Sequence, residues 1–322
     1  MNGRVSAVPS IARERALRAV VLRGGSIRPT PFRTAINRSI MDMPIEEGVR
    51  LMLYWQQQVV DLARAYDLDQ LPTRVQVNRG SPLPAAAKAI DGCAVSIERD
   101  RGEYRGTGGI LRDLAEEYDD DDFILVANGG QILTHSLVEM LHQLHEVEAD
   151  VSFVAHQDGA PSGLMLVRCE ALRMISARGY VDMKEQALPA IARRFKVTHI
   201  EQRRATGLPL HSLQDYLAAV RWWHRHGAAQ AHLGLDAIHS AEARVRESKT
   251  SFSIVESGAT VDPTAHLHDC VVLRGAKVAE GAVVARSVLC AGSSLEANET
   301  AVDELLYAGG PSARRRRILQ VA

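Results

Sequence analysis

Residues 18–32, RAVVLRGGSIRPTPF, hold the first pattern that could do chemistry. The β-formers Ala19, Val20, Val21 and Leu22 run into Gly24-Gly25-Ser26-Ile27-Arg28. A buried strand ending in a glycine turn bares backbone N–H groups, and these can hold an anion such as a phosphate. Arg28 stands where a guanidinium could meet that phosphate. Other chemistry-bearing residues are weaker candidates. The run Asp119 to Asp122 lies at the opposite end of the apolar stretch FILVAN (123–128), roughly 20 Å of extended chain away from Asn128, and reads as a solvated loop. His224, His226, His232 and His239 lack a strict ligand spacing, and WWHRHG reads as the polar end of a helix. Cys93, Cys169, Cys270 and Cys290 are scattered without a CxxC pair, so they read as small buried hydrophobes in a reducing compartment.

The elements that must position these residues follow from periodicity. Residues 18–23, 73–78, 93–98 and 123–128 read as strands, as do ADVSFVAH, GLMLVRC and KVTHIE. Helices are expected from Pro44 to about Tyr66, with Val49, Leu53, Val60 and Ala63 on one face, and through GTGGILRDLAEEY, HSLVEMLHQLHEVE, CEALRMI, KEQALPAIARRF and HSLQDYLAAVRWWHRH. Alternating strands and helices predict an α/β domain with a mainly parallel sheet over residues 1–225. The chain has 322 residues, which suggests about two domains. Its formal net charge of −1 argues against nucleic acid or a membrane surface as partner. No apolar run is long enough to span a membrane and no apolar leader precedes the first strand, so a cytoplasmic protein is expected.

After an irregular connector (226–250) the pattern changes. Val255, Val261, Leu267, Val278, Val284 and Leu295 recur near every sixth position, with Ala259, Ala265, Ala276 and Ala282 at fixed offsets. Such hexads over 251–308 predict a parallel β-helix, the alternative being a Gly/Ala-rich β-meander. Residues 309–322 form a basic tail. Trp222-Trp223 is expected to pack the α/β domain against the hexads.

In order and spacing, AVVLRGGS…RPTPF, GTGGIL, FILVANGGQIL, LQDYLAAV and the hexads resemble the sugar-phosphate nucleotidylyltransferases, or NDP-sugar pyrophosphorylases. The resemblance covers most of the chain. It implies a Rossmann-like nucleotidyltransferase domain with a mainly parallel sheet, followed by a short left-handed parallel β-helix. It also implies nucleotide-binding positions at Gly24, Gly25, Ser26, Arg28, Arg38, Gly106, Thr107, Gly108 and Asn128. In that family a sugar phosphate attacks the α-phosphate of a nucleoside triphosphate and releases pyrophosphate, with Mg²⁺ held by carboxylates.

Several parts of that machinery have changed. The glycine loop is one residue short, with Ile27 at a flexible position. Arg38 falls where the family carries a phosphate-binding lysine. Asn128-Gly129-Gly130 ends without the metal carboxylate, and Pro209-Leu210-His211 replaces the second one. DGAPS (158–162) is too short to carry the family's sugar-phosphate clamp. The expectation is a catalytically degenerate relative that binds a nucleotide or NDP-sugar and acts as a regulator, as a homo-oligomer or in a heteromer with an active nucleotidyltransferase. Two other readings stay open. One is an active nucleotidylyltransferase whose Mg²⁺ is held by Asp158, Asp182, or Glu98 with Asp100; the other is an acyltransferase using His266 or His268 as general base.

Overall fold

The computed structural model describes residues 16–25, 29–100, 105–156, 161–202, 205–230 and 252–309. The chain divides into two compact units. The first takes residues 1–26, 52–129 and 133–207; the second takes 27–51, 130–132 and 208–322. Helices are α1 (Pro31–Ile36), α2 (Leu51–Ala65), α3 (Gly106–Ala115), α4 (Leu137–Glu146), α5 (Cys169–Arg173), α6 (Leu188–Ile191) and α7 (Leu213–Gln230). Among the described residues no helix is long and apolar enough to cross a membrane.

The first unit is built on a seven-stranded sheet. Its strands are β1 (Leu17–Arg23), β2 (Leu71–Val77), β3 (Cys93–Arg99), β4 (Phe123–Asn128), β5 (Val151–His156), β6 (Pro161–Arg168) and β7 (Val197–Gln202). Their spatial order is β7-β5-β6-β4-β1-β2-β3. β6 runs antiparallel to β4 and β5, and the other pairs are parallel. Ala19, Val20, Val21 and Leu22 are all fully buried, so β1 is covered on both faces, as a central strand of a parallel sheet must be. Ala19, Val21, Ile124, Val126, Met165 and Val167 pack on one face with Leu111 and Leu114 of α3 and Leu172 of α5.

The chain lays β2 and β3 to one side of β1 and then returns to place β4 on the other. This reversal makes a topological switch point between β1 and β4, and a crevice opens at the carboxyl ends of such strands. The aspartate run stands at the opposite, amino end of β4. It is more than a solvated loop: the buried Asp122 pairs with Arg18 at 2.7 Å, and Asp121 and Asp120 pair with Arg168 and Arg173.

The second unit contains three sheets of short parallel strands. Ser253 pairs with Cys270, Thr260 with Lys277 and His266 with Val283, a step of 17 residues each time. Val271 with Val288 and Val288 with Leu305 repeat that step. Its interior is lined by Val255, Val261, Leu267, Val272, Val278, Val284, Leu289, Leu295, Ala301 and Leu306. The spacing is six, six and five, not a uniform six. Val272 and Leu289 therefore fall out of a strict hexad count, although they are fully buried.

One expectation is corrected. Pro44–Glu46 does not begin a helix: it pairs antiparallel with Val49–Arg50 around Glu47-Gly48, and α2 starts only at Leu51. The second unit holds α7 throughout. Arg221 of α7 pairs with the buried Asp269 at 2.8 Å, and Asp269 also accepts the Phe252 N–H. Tyr216 donates to the Pro44 carbonyl at 2.5 Å, and the buried Trp223 donates to Glu46 at 3.1 Å. These bonds cross from α7 to the hairpin and the strand stack, which is why the break falls at residue 207. Trp222 stacks on His226 and His224 on Phe252; His232, His239 and the basic tail lie outside the described residues.

Candidate functional site

Strand-end residues of β1, β2 and β4 form the candidate site. Arg23, the last residue of β1, is level with Gln76 of β2 and Asn128 of β4. The Gly24 N–H donates to the Gln76 carbonyl at 2.9 Å, so the first glycine of the turn is tied to the neighbouring strand. Gly25 approaches Asn78 so closely that a Cβ there would lie 2.4 Å from Asn78 Oδ1 and 2.6 Å from its backbone nitrogen. No side chain fits in that gap, so glycine is required at 25 by packing. Ser26 and Arg28 lie outside the described residues. On the other side, Gly129 N–H donates to the Arg23 carbonyl at 3.1 Å, and the Gly129 carbonyl accepts the indole N–H of Trp55 at 2.9 Å. Asn128 is half-buried at the end of β4.

The residue that sequence reasoning passed over is Arg23. Its side chain keeps contact with solvent, yet desolvation by the surrounding protein lowers its pKa, with the charge of Asp182 acting the other way. An arginine stays charged there and presents a planar fork suited to phosphate oxygens. Its position immediately before Gly24, at the end of a central parallel strand, was the available signal.

Gly106, Thr107 and Gly108 open α3 and hold the chain's own backbone. Gly108 N–H donates to the Val181 carbonyl at 2.9 Å, and Thr107 Oγ1 accepts the Met183 N–H at 3.0 Å. Arg105 reinforces this clasp by donating to the carbonyls of Gly179 and Ser176 and to both carboxylate oxygens of Asp113. Arg38 lies in the second unit, where it pairs with Glu256 at 2.8 Å. Glu256 also accepts the Arg274 N–H at 2.7 Å, which leaves Arg38 bridging to the strand stack.

The alternative metal carboxylates are occupied by the fold or lie elsewhere. Asp182 Oδ1 accepts the N–H groups of Lys184 and Glu185, capping the turn that follows, and Asp158 lies outside the described residues. Asp100 follows the outermost strand β3, and its N–H donates to the Val77 carbonyl. Glu98 receives two hydrogen bonds from Arg74, at 2.6 and 2.9 Å, and others from Gln76 and Ser96. Among the described residues no three His, Cys, Asp or Glu side chains converge on one point.

Glu98 yields a pH prediction. Burial disfavours its carboxylate, but the bonds from Arg74, Ser96 and Gln76 outweigh burial and hold its pKa below the usual range. A depressed folded pKa contributes stability that is present above the unfolded pKa, about 4.3, and lost as pH falls through the folded value. The wild type should therefore exceed Glu98→Gln in stability by a constant margin near neutrality. That margin should shrink below about pH 4.3, as read from urea melts across pH. A margin that persisted unchanged in acid would refute the assignment.

No protein-family model matches the chain, and no curated protein matches it either. Among solved structures it is similar to HddC from Yersinia pseudotuberculosis, at 12% identity over 64% of this chain and 100% of that one, with a TM-score of 0.44. It is also similar to a structure assigned as a glucose-1-phosphate thymidylyltransferase from Bacillus anthracis, in complex with a sucrose. There the identity is 10% over 64% of this chain and 95% of that one, with a TM-score of 0.48.

Proposed function

We propose that this chain is a nucleotidyltransferase-like protein that binds a nucleotide or NDP-sugar through its phosphates without turning it over. It would act as a regulator or partner subunit in sugar-nucleotide metabolism. The observation that carries this reading is the placement of Arg23 at the carboxyl end of β1, beside the β1–β4 switch point, with no carboxylate at the ends of the central strands β1, β2 and β4. A cation at the end of such a strand suits a phosphate. The residues do not fit the Mg²⁺ that an active relative would need: Asn128-Gly129-Gly130 and Pro209-Leu210-His211 offer no side-chain carboxylate.

The stack of three parallel sheets with a 17-residue step supports reading residues 252–309 as a parallel β-helix, left-handed by resemblance. Among the described residues its end strands, 253–255 and 305–306, each pair on one side only, which suits self-association or a heteromer with an active nucleotidyltransferase.

Calorimetry with nucleoside triphosphates and NDP-sugars tests the reading, beside a pyrophosphate-release assay on a panel of sugar 1-phosphates with Mg²⁺. Saturable binding without pyrophosphate release is expected. Arg23→Gln should weaken that binding about tenfold or more, the scale of one charge-assisted contact. Robust turnover would instead establish an active enzyme with atypical metal ligands.

A further inference from the structure

Where the chain leaves α5 and meets α6, the first unit keeps a groove of about 200 Å³. Its apolar lining is Met174, Ile175, Val181, Ala187, Ala190 and Ile191. Ile175, Ala187 and Ile191 are buried and make its floor. Two of the five large apolar side chains left exposed among the described residues, Met174 and Tyr180, lie in this lining or directly beside it in the chain. A cavity of about 150 Å³ with a comparable lining holds benzene, so this space accommodates a substituted phenyl ring.

Ser176 and Gln186 are the polar side chains of the groove. Ser176 is committed to its own loop: its hydroxyl donates to the Arg178 carbonyl at 2.9 Å and accepts the Arg178 N–H at 3.3 Å. Gln186 Oε1 accepts the Asp182 N–H at 2.8 Å, which fixes the amide and leaves its NH₂ group without a protein acceptor among the described residues. A wide turn holds Gln186 in place. The Ala187 N–H donates to the Asp182 carbonyl at 3.0 Å and the Leu188 N–H to the Met183 carbonyl, each bond one residue longer than in an α-helix. Such π turns are rare and are frequent at functional sites.

The charge around the groove is one-sided. Residues 174–194 carry Arg178, Lys184, Arg193 and Arg194 against Asp182 and Glu185. All four cations are exposed, and among the described residues none forms an ion pair. The Arg193 N–H donates to the Ala190 carbonyl and the Arg194 N–H to the Ile191 carbonyl, so these two cations follow the last lining residues by one turn.

We propose that this groove binds a small carboxylate whose apolar body is the size of a phenyl ring. The body covers Ile175, Ala187 and Ile191, and the carboxylate accepts from the Gln186 NH₂ group within a field of exposed cations. No residue of the strand-end site takes part.

Titration of the full chain with sodium 3-phenylpropionate, at ionic strength held constant with sodium chloride, tests this by methyl NMR. Saturable shifts centred on Ile175, Val181, Ala187 and Ile191 are expected. The uncharged analogue 3-phenylpropionamide should bind several-fold more weakly. Gln186→Glu keeps an oxygen for the Asp182 N–H but replaces the free donor with negative charge. It should weaken phenylpropionate binding about tenfold or more and spare most of the amide binding. Ala190→Phe, at an exposed position, fills the groove and should abolish binding of both compounds while the circular dichroism spectrum stays that of the wild type. The proposal is overturned by shifts that do not saturate or that centre elsewhere, by equal binding of acid and amide, or by phenylpropionate binding indifferent to Gln186→Glu.

Discussion

Gly106→Ala is expected to destabilise the first unit by about 2–5 kcal/mol, the sum of a left-handed backbone penalty and an overpacking penalty. Gly106 has φ +70°, and a Cβ added there would lie 2.4 Å from the Val181 carbonyl oxygen and 2.8 Å from its carbonyl carbon. That carbonyl has nowhere to go. It accepts the Gly108 N–H at 2.9 Å, Val181 N–H donates to the Arg105 carbonyl at 2.9 Å, and Met183 N–H is held by Thr107. Relieving the clash would break bonds on both sides of the 181–183 segment. Gly80→Ala is the control, since nothing lies within 4 Å of a Cβ built there. Urea unfolding of both variants against wild type decides the matter. A Gly106→Ala protein within about 0.5 kcal/mol of the parent, the range of ordinary surface substitutions, would show that the clasp is not as tight as described.

Trp55→Ala should be of similar size or larger. Trp55 is fully buried, and truncating a core tryptophan costs about 3–5 kcal/mol through lost contacts and the cavity left behind. Its indole N–H also holds the Gly129 carbonyl at 2.9 Å, immediately after the end of β4. Trp55→Phe separates the two effects: it keeps most of the ring volume and strands only that carbonyl, for an expected loss of about 1–3 kcal/mol. The phenylalanine variant has a second readout. Gly129 is bonded to the Arg23 carbonyl, so releasing it should loosen the crevice and weaken nucleotide binding under conditions where the protein stays folded. Equal stability for Trp55→Phe and wild type would mean that the hydrogen bond contributes nothing.

The Gly24-Gly25 turn shows how much of the site was legible. A strand running into two glycines is readable because a buried strand declares itself by local composition. The reason for the second glycine is not readable, because Asn78 lies more than fifty residues away in the chain and meets it only when β1 and β2 pair. The segment 106–108 teaches the same lesson. Its residues look like a ligand cradle, and the folded chain fills that cradle with its own residues 181–183. The predicted helix from Pro44 failed for a local reason: Glu47-Gly48 supports a tight turn, and the flanking Ile45 and Val49 suit a hairpin as well as a helix face.

By itself the sequence determined the alternation of strands and helices, the inward-pointing aliphatic series of the C-terminal stack, and the lack of a carboxylate at residues 128–130. Each is a property of composition or short-range periodicity, and burial of apolar side chains enforces such patterns wherever they occur. Only the tertiary structure decided the five-residue step that closes each 17-residue turn, the division of the chain near residue 207 and the approach of Asn78 to Gly25. These depend on groups far apart along the chain, whose hydrogen bonds and desolvation exist only once the elements between them have packed.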